Sequence, residues 1–135
     1  MMDPYFDAKI FTPIAEMLRS EFEGIYVTGE YVPAPPRFPA VSIEQADDYT
    51  SENRQTSSYE ETYHTVMFEV NVYSNLKTGR KLQARQILSK IDELFYMMNF
   101  TRLSTTPVHN LADETIYRLV ARYRAETDGS ILYRR

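Results

Sequence analysis

Four cations crowd into a short stretch of the chain: Lys77, Arg80, Lys81 and Arg85, followed by Lys90, with no acid anywhere between Ser74 and Ile91. Near the end, Arg118, Arg122 and Arg124 recur at even positions of an alternating run, so a strand would place all three on one face. Acids come in adjacent pairs, Asp47-Asp48 and Glu60-Glu61, on either side of a polar segment. Cations at this density suit either a grip on phosphate groups or a surface that meets an acidic partner. The first group raises a specific question, because the start of a helix disfavours positive charge.

Catalytic arrangements are weaker. His64 falls on the apolar side of a strand pattern and His109 in a turn-like segment, so both are read as packing or turn residues. Neighbouring residues of a strand point to opposite faces, so neither acid pair forms a carboxylate dyad. Ser74 and Lys77 have the Ser-x-x-Lys spacing of some acylating hydrolases, but the companion motifs of that chemistry are missing. Asn99-Phe100-Thr101 is a glycosylation acceptor only in a secreted chain. There is no phosphate-loop glycine pattern, no dinucleotide fingerprint and no zinc spacing. The expectation is a protein without catalytic activity, metal or cofactor.

At 135 residues the chain fits a single domain. It has no cysteine, which removes disulfides and thiolate chemistry. The N-terminus lacks the basic and apolar regions of a signal peptide, and no apolar run is long enough to span a bilayer, so a soluble protein with no membrane partner is expected. The formal net charge of −4 divides unevenly. Residues 1–73 carry thirteen acids and four bases, or −9, whereas residues 74–135 carry six acids and eleven bases, or +5. That polarity favours head-to-tail self-association.

The elements that must position these charges follow from periodicity. Asp3-Pro4 opens a helix over residues 4–23, with Ile10, Ile14, Met17, Leu18 and Phe22 at helical spacing, a kink allowed at Pro13 and Gly24 as cap. Residues 25–32 are rich in β-branched and aromatic side chains and predict a strand. Residues 33–39, PAPPRFP, predict an extended connector. A second strand is expected over residues 40–49 and a polar arm, or extended hairpin tip, over residues 47–61.

Residues 63–74 give the clearest strand, with His64, Val66, Phe68, Val70 and Val72 on its core face. A helix over residues 78–98, capped by Thr78, carries Ala84, Ile87, Leu88, Ile91, Leu94, Phe95 and Met98 as its apolar stripe. Strands over residues 102–108 and 115–125 follow, and Asp128-Gly129 predicts a short return through residues 128–135. The sum is an α+β domain, with two helices packed on an antiparallel or mixed sheet of four to five strands and a long polar hairpin arm. Acids such as Glu44 or Glu69 are expected to pair across strands with the arginine row.

Three phrases taken in order, "FPAVSIEQAD", "FEVNVYSNLKTGRKLQARQILSKIDELF" and "NFTRLSTTPVHNLADETIYRLVARYRA", resemble the tail terminator, or tail completion, proteins of long-tailed bacteriophages. The resemblance spans about residues 38–125 and rests on a strand ending Val-x-Val-Tyr-Ser, a helix after a Gly-Arg loop, and a last strand opening Tyr-Arg. It implies an α+β virion subunit that forms a hexameric ring on the end of the tail tube, stops its polymerisation and offers a surface to the head-tail connector. The partners so implied are further copies of the chain, the major tail tube protein and the connector. Related neck proteins are similar in kind. On this reading Lys77, Arg80, Lys81, Arg85, Asp47, Asp48, Glu60 and Glu61 are candidate ring contacts. Arg118, Arg122 and Arg124 are candidates to face the lumen or DNA. The alternative, from the cations themselves, is an accessory module that uses Lys77, Arg80, Lys81 and Arg85 for non-specific contact with DNA.

Overall fold

A computed structural model describes residues 6–50, 64–109 and 113–127. Two helices and five strands follow in the order α1 (Phe6–Glu21), β1 (Tyr26–Thr28), β2 (Ala40–Thr50), β3 (His64–Ser74), α2 (Arg80–Met97), β4 (Thr101–His109) and β5 (Tyr117–Thr127). The strands form one sheet in the order β1-β2-β3-β5-β4. β1 runs parallel to β2, and every other pairing is antiparallel. The fold is α+β with a mixed sheet.

The period of two in the central strands decides where the core lies. Val41 and Ile43 of β2 stand beside Val72 and Val70 of β3, which stand beside Leu119 and Ala121 of β5. All six are buried, together with Phe68, Val66 and Tyr123 on the same face. Ile10, Ile14 and Leu18 of α1 and Ala84, Ile87, Leu88, Ile91 and Phe95 of α2 complete that core, so both helices cover one face of the sheet. Leu94 and Met98 of the predicted stripe are only partly buried. Among the described residues the opposite face carries no helix, and it holds the alternate residues, among them Glu44, Glu69, Asn71, Tyr73, Arg118, Arg122 and Arg124.

Several local expectations are corrected. β1 covers three residues, because from Gly29 the chain leaves the sheet to cross back and bring β2 parallel to β1. Parallel neighbours require such a crossover, and residues 29–39 supply it without a helix, ending at a cis Phe38-Pro39 bond. Tyr73 donates its hydroxyl to the Val32 carbonyl at 3.2 Å, so the crossover passes over the helix-free face. α1 continues through Pro13 as one helix, and Gly24 takes a positive φ of 76° just beyond its end. β2 extends to Thr50, which puts Asp47 and Asp48 in strand pairing, beyond a bulge, opposite Met67 and Val66. β4 extends to His109, so that residue ends a strand and does not occupy a turn. The rest of the polar arm, including Glu60 and Glu61, and the return over residues 128–135 lie outside the described residues.

The two ends of α2 depart from the sequence reading in instructive ways. Its N-cap is Gly79, in the left-handed region at φ 84°, with no side-chain cap; Thr78 makes none. Its C-terminal end is a Schellman arrangement. Asn99 adopts φ 69°, its N–H bonds the Tyr96 carbonyl at 3.0 Å, and the Phe100 N–H bonds the Phe95 carbonyl at 2.9 Å. The apolar contact that accompanies this motif is Phe95 against Phe100, edge to face at 5.0 Å between ring centres. Asn99 therefore serves as a left-handed turn residue, which asparagine tolerates better than most side chains.

Candidate interaction surfaces

The cations at the start of α2 sit where charge is least welcome to the helix. Lys77, Lys81 and Arg85 are exposed, and none makes an ion pair among the described residues. Arg80 is half-buried and donates Nη1 to the Leu76 carbonyl at 3.2 Å. The first turn contains no acid, so nothing in it offsets the positive end of the helix dipole. Two apolar side chains stand among these cations, Leu76 at 42% exposure and Leu82 at 61%. Apolar side chains of this size exposed inside a charged rim are the composition of a contact surface.

Directly behind that surface, Ser74 is fully buried and donates its hydroxyl to Gln83 Oε1 at 2.5 Å. This bond ties the end of β3 to the first turns of α2. The Ser74 hydroxyl is thus directed at Gln83, while Lys77 lies exposed, and the two do not form a nucleophile and base pair.

The three arginines of β5 share the helix-free face, as their even spacing predicts, but they differ in state. Arg118 donates Nε to Asn71 Oδ1 at 2.8 Å, and its guanidinium lies 5.6 Å and 5.8 Å from the ring centres of Tyr31 and Tyr73. Burial pushes the Tyr73 hydroxyl above its ordinary pKa, and the Arg118 charge opposes that rise. This cluster pins the crossover to the sheet. Arg122 pairs with Glu69 at 3.4 Å, the cross-strand contact expected from the sequence, and at this exposure it is worth a fraction of a kilocalorie. Arg124 is exposed and makes no ion pair among the described residues.

A third surface was not visible in the sequence. Two adjoining clefts of about 220 Å³ and 400 Å³ lie between α2 and the edge strand β4, and Asp92 and Arg102 line both. Asp92 Oδ1 accepts from the Tyr123 hydroxyl at 3.1 Å and from Arg102 Nη1 at 3.4 Å. The Tyr123 hydroxyl is held well above its ordinary pKa, first by burial and then by the Asp92 charge. Its ring stacks on Phe95 at 4.1 Å. The larger cleft adds Arg85, Ser89 and Thr105. A sequence signal existed in the position of Asp92 beside Ile91 on the apolar stripe, but its partners come from β4 and β5.

The basic helix start and the arginine row therefore do not merge into one site. The first belongs to the helix side of the sheet and the second to the helix-free side. Among the described residues no three His, Asp or Glu side chains gather as a metal site, and no helix is long and apolar enough to cross a membrane.

No protein-family model matches the sequence, and no curated protein does. Among solved structures, the fold is similar to that of a chain in the virion of a native gene transfer agent (GTA) particle. The TM-score is 0.60 at 13% identity, covering 86% of this chain and 92% of that one. At that identity the likeness is one of fold.

Proposed function

We propose that this chain is a structural protein of a phage-like virion and acts there as a tail terminator. Copies form a ring, a hexamer by the sequence resemblance, which caps the tail tube, ends its polymerisation and presents a face to the head-tail connector. The observation that carries the reading is the likeness of nearly the whole fold to a chain of a gene transfer agent virion. The ordered phrases over residues 38–125 agree with it.

The surfaces suit this role. A ring of identical subunits uses heterologous contacts, in which one face meets a different face of the next copy. A chain with −9 in its first 73 residues and +5 in the rest has the opposite charges that such contacts need. The cations at the start of α2, which make no ion pair among the described residues and have Leu76 and Leu82 exposed among them, are assigned to meet acids of the next subunit or ring.

Native mass spectrometry of the purified chain and negative-stain imaging with tail tube protein test the proposal. Rings seated on tube ends are the expected result. A chain that stays monomeric and leaves tube ends bare refutes it. Arg124, which makes no ion pair among the described residues of the helix-free face, gives a second reading, a non-specific contact with DNA. Duplex binding that falls steeply with salt and weakens in Arg124→Ala is its signature.

A further inference from the structure

The sheet has two edges of very different kind. At one end β1 offers three residues. At the other, β4 offers nine, and residues 101–107 are all exposed. Among the described residues no strand covers this edge, and an open edge of that length is a template for another strand that proteins ordinarily block. Here the protection is partial, with a bulge between Arg102 and Ser104 and a proline at Pro107.

Pro107 also reveals which way the edge faces. Lacking an N–H, proline fits an edge strand where its nitrogen points away from the neighbouring strand. The pairing direction alternates along an antiparallel ladder, so Thr105, two residues earlier, directs its own N–H and C=O outward. Between the bulge and the proline, Thr105 is thus an open donor and acceptor among the described residues.

The flanks of this edge are positive on both faces. On the helix side, Thr105 stands in register with Ala121 and lines the 400 Å³ cleft with Arg85, Arg102 and Asp92; Arg102 is paired with Asp92, which leaves the Arg85 charge in excess. On the other side, Ser104 and Thr101 stand in register with Arg122 and Arg124; Arg122 is paired with Glu69, which leaves the Arg124 charge in excess. A strand laid against β4 would alternate its side chains between these two sides, and acids on either side would meet arginine. Two copies joined β4 to β4 would instead bring their own arginines together.

We infer that the β4 edge at Thr105, with the cleft between β4 and α2, receives an extended acid-bearing segment of a second copy of this chain. The contact is heterologous: the donor segment comes from the acidic N-terminal 73 residues, which carry thirteen acids against four bases. The inference rests on the reading of the chain as an assembly subunit and specifies one of its contacts.

Self-association of the full chain, measured by sedimentation velocity and native mass spectrometry over a concentration series, tests it. Thr105→Pro removes the outward donor without touching a bond to β5, and Arg85→Glu reverses the cleft charge at a side chain that makes no ion pair among the described residues. Each is expected to weaken association by about tenfold or more, since misplaced like charge and lost strand bonds cost this much at interfaces. Thr105→Ala keeps the N–H and is expected to assemble like the unaltered chain. Arg85→Glu keeps the result meaningful should Thr105→Pro fold poorly. Three results would overturn the inference: an unaltered chain that is monomeric throughout, growth that stops at a dimer, or either weakening variant assembling normally. Rings still formed by both variants would sink this contact and leave the tail-terminator reading intact.

Discussion

Reversing Arg80 and Lys81 to glutamate separates what the basic helix start does for the fold from what it does for assembly. For the fold, one bond is lost, from Arg80 Nη1 to the Leu76 carbonyl at 3.2 Å. That costs about 1 kcal/mol or less, given solvent nearby. Against it, two cations leave the positive end of α2 and two acids arrive, each change worth about 0.3–1 kcal/mol. An acid at position 81 also stands four residues ahead of Arg85, the favourable order for a helical pair, which adds about 0.3 kcal/mol. The gains match or exceed the loss, so the isolated subunit should be equally stable or up to about 2 kcal/mol more stable. Urea denaturation at low salt measures this, since guanidinium would screen the charges. Ring formation by native mass spectrometry should fall by about tenfold or more, as like charges then face acids of the neighbour. A stability loss above about 1 kcal/mol would show that the cations hold the fold itself. Undiminished rings would remove the interface explanation.

Phe95→Ala should destabilise the subunit by about 3–5 kcal/mol, because Phe95 is fully buried and packs against Phe68, Phe100 and Tyr123. A urea midpoint almost unchanged would mean that the C-terminal end of α2 is not anchored by this ring cluster. Asn99→Gly should stabilise by about 0.5 kcal/mol, since glycine adopts the left-handed φ of 69° without steric cost; a lowered midpoint contradicts the assigned cap. The Asp113 carboxyl accepts from the Thr115 hydroxyl and N–H at 2.6 Å and 2.9 Å, which hold its pKa below the usual carboxylate range. Its stabilising effect is present above that range and disappears as pH falls through the lowered value. In Thr115→Ala the carboxyl should titrate nearer its ordinary pKa, and an unmoved NMR titration of Asp113 would show that the hydroxyl bond does not set it.

Much of the architecture was legible because it depends on local period. Val66, Phe68, Val70 and Val72 alternate, so β3 and its buried face follow from sequence. Ala84, Ile87, Leu88, Ile91 and Phe95 recur at helical spacing, so α2 and its orientation follow as well. The even spacing of Arg118, Arg122 and Arg124 fixed their common face before any fold was known.

Local pattern failed where a partner from another element decides the outcome. Residues 25–32 have strand propensity throughout, yet β1 stops at Thr28, because the proline-rich segment must cross back for β2 to lie parallel. Thr78 has the better capping side chain, but Gly79 occupies the cap in a left-handed conformation. No local pattern marked Asn99 as the left-handed turn that closes α2 onto Phe100.

Charge distribution and periodicity, which are properties of neighbouring residues, were therefore set by the sequence alone: an α+β chain, acidic in one half, basic in the other, with an arginine row on one strand face. Tertiary structure alone decided which of those charges are spent inside the subunit. Arg118 is enclosed by Asn71, Tyr31 and Tyr73, Arg122 is paired with Glu69, and Arg102 is held by Asp92. Lys77, Lys81, Arg85 and Arg124 make no ion pair among the described residues. The distinction depends on strand order and register, which pair residues as distant in the chain as His64 and Thr127, beyond the reach of any local pattern.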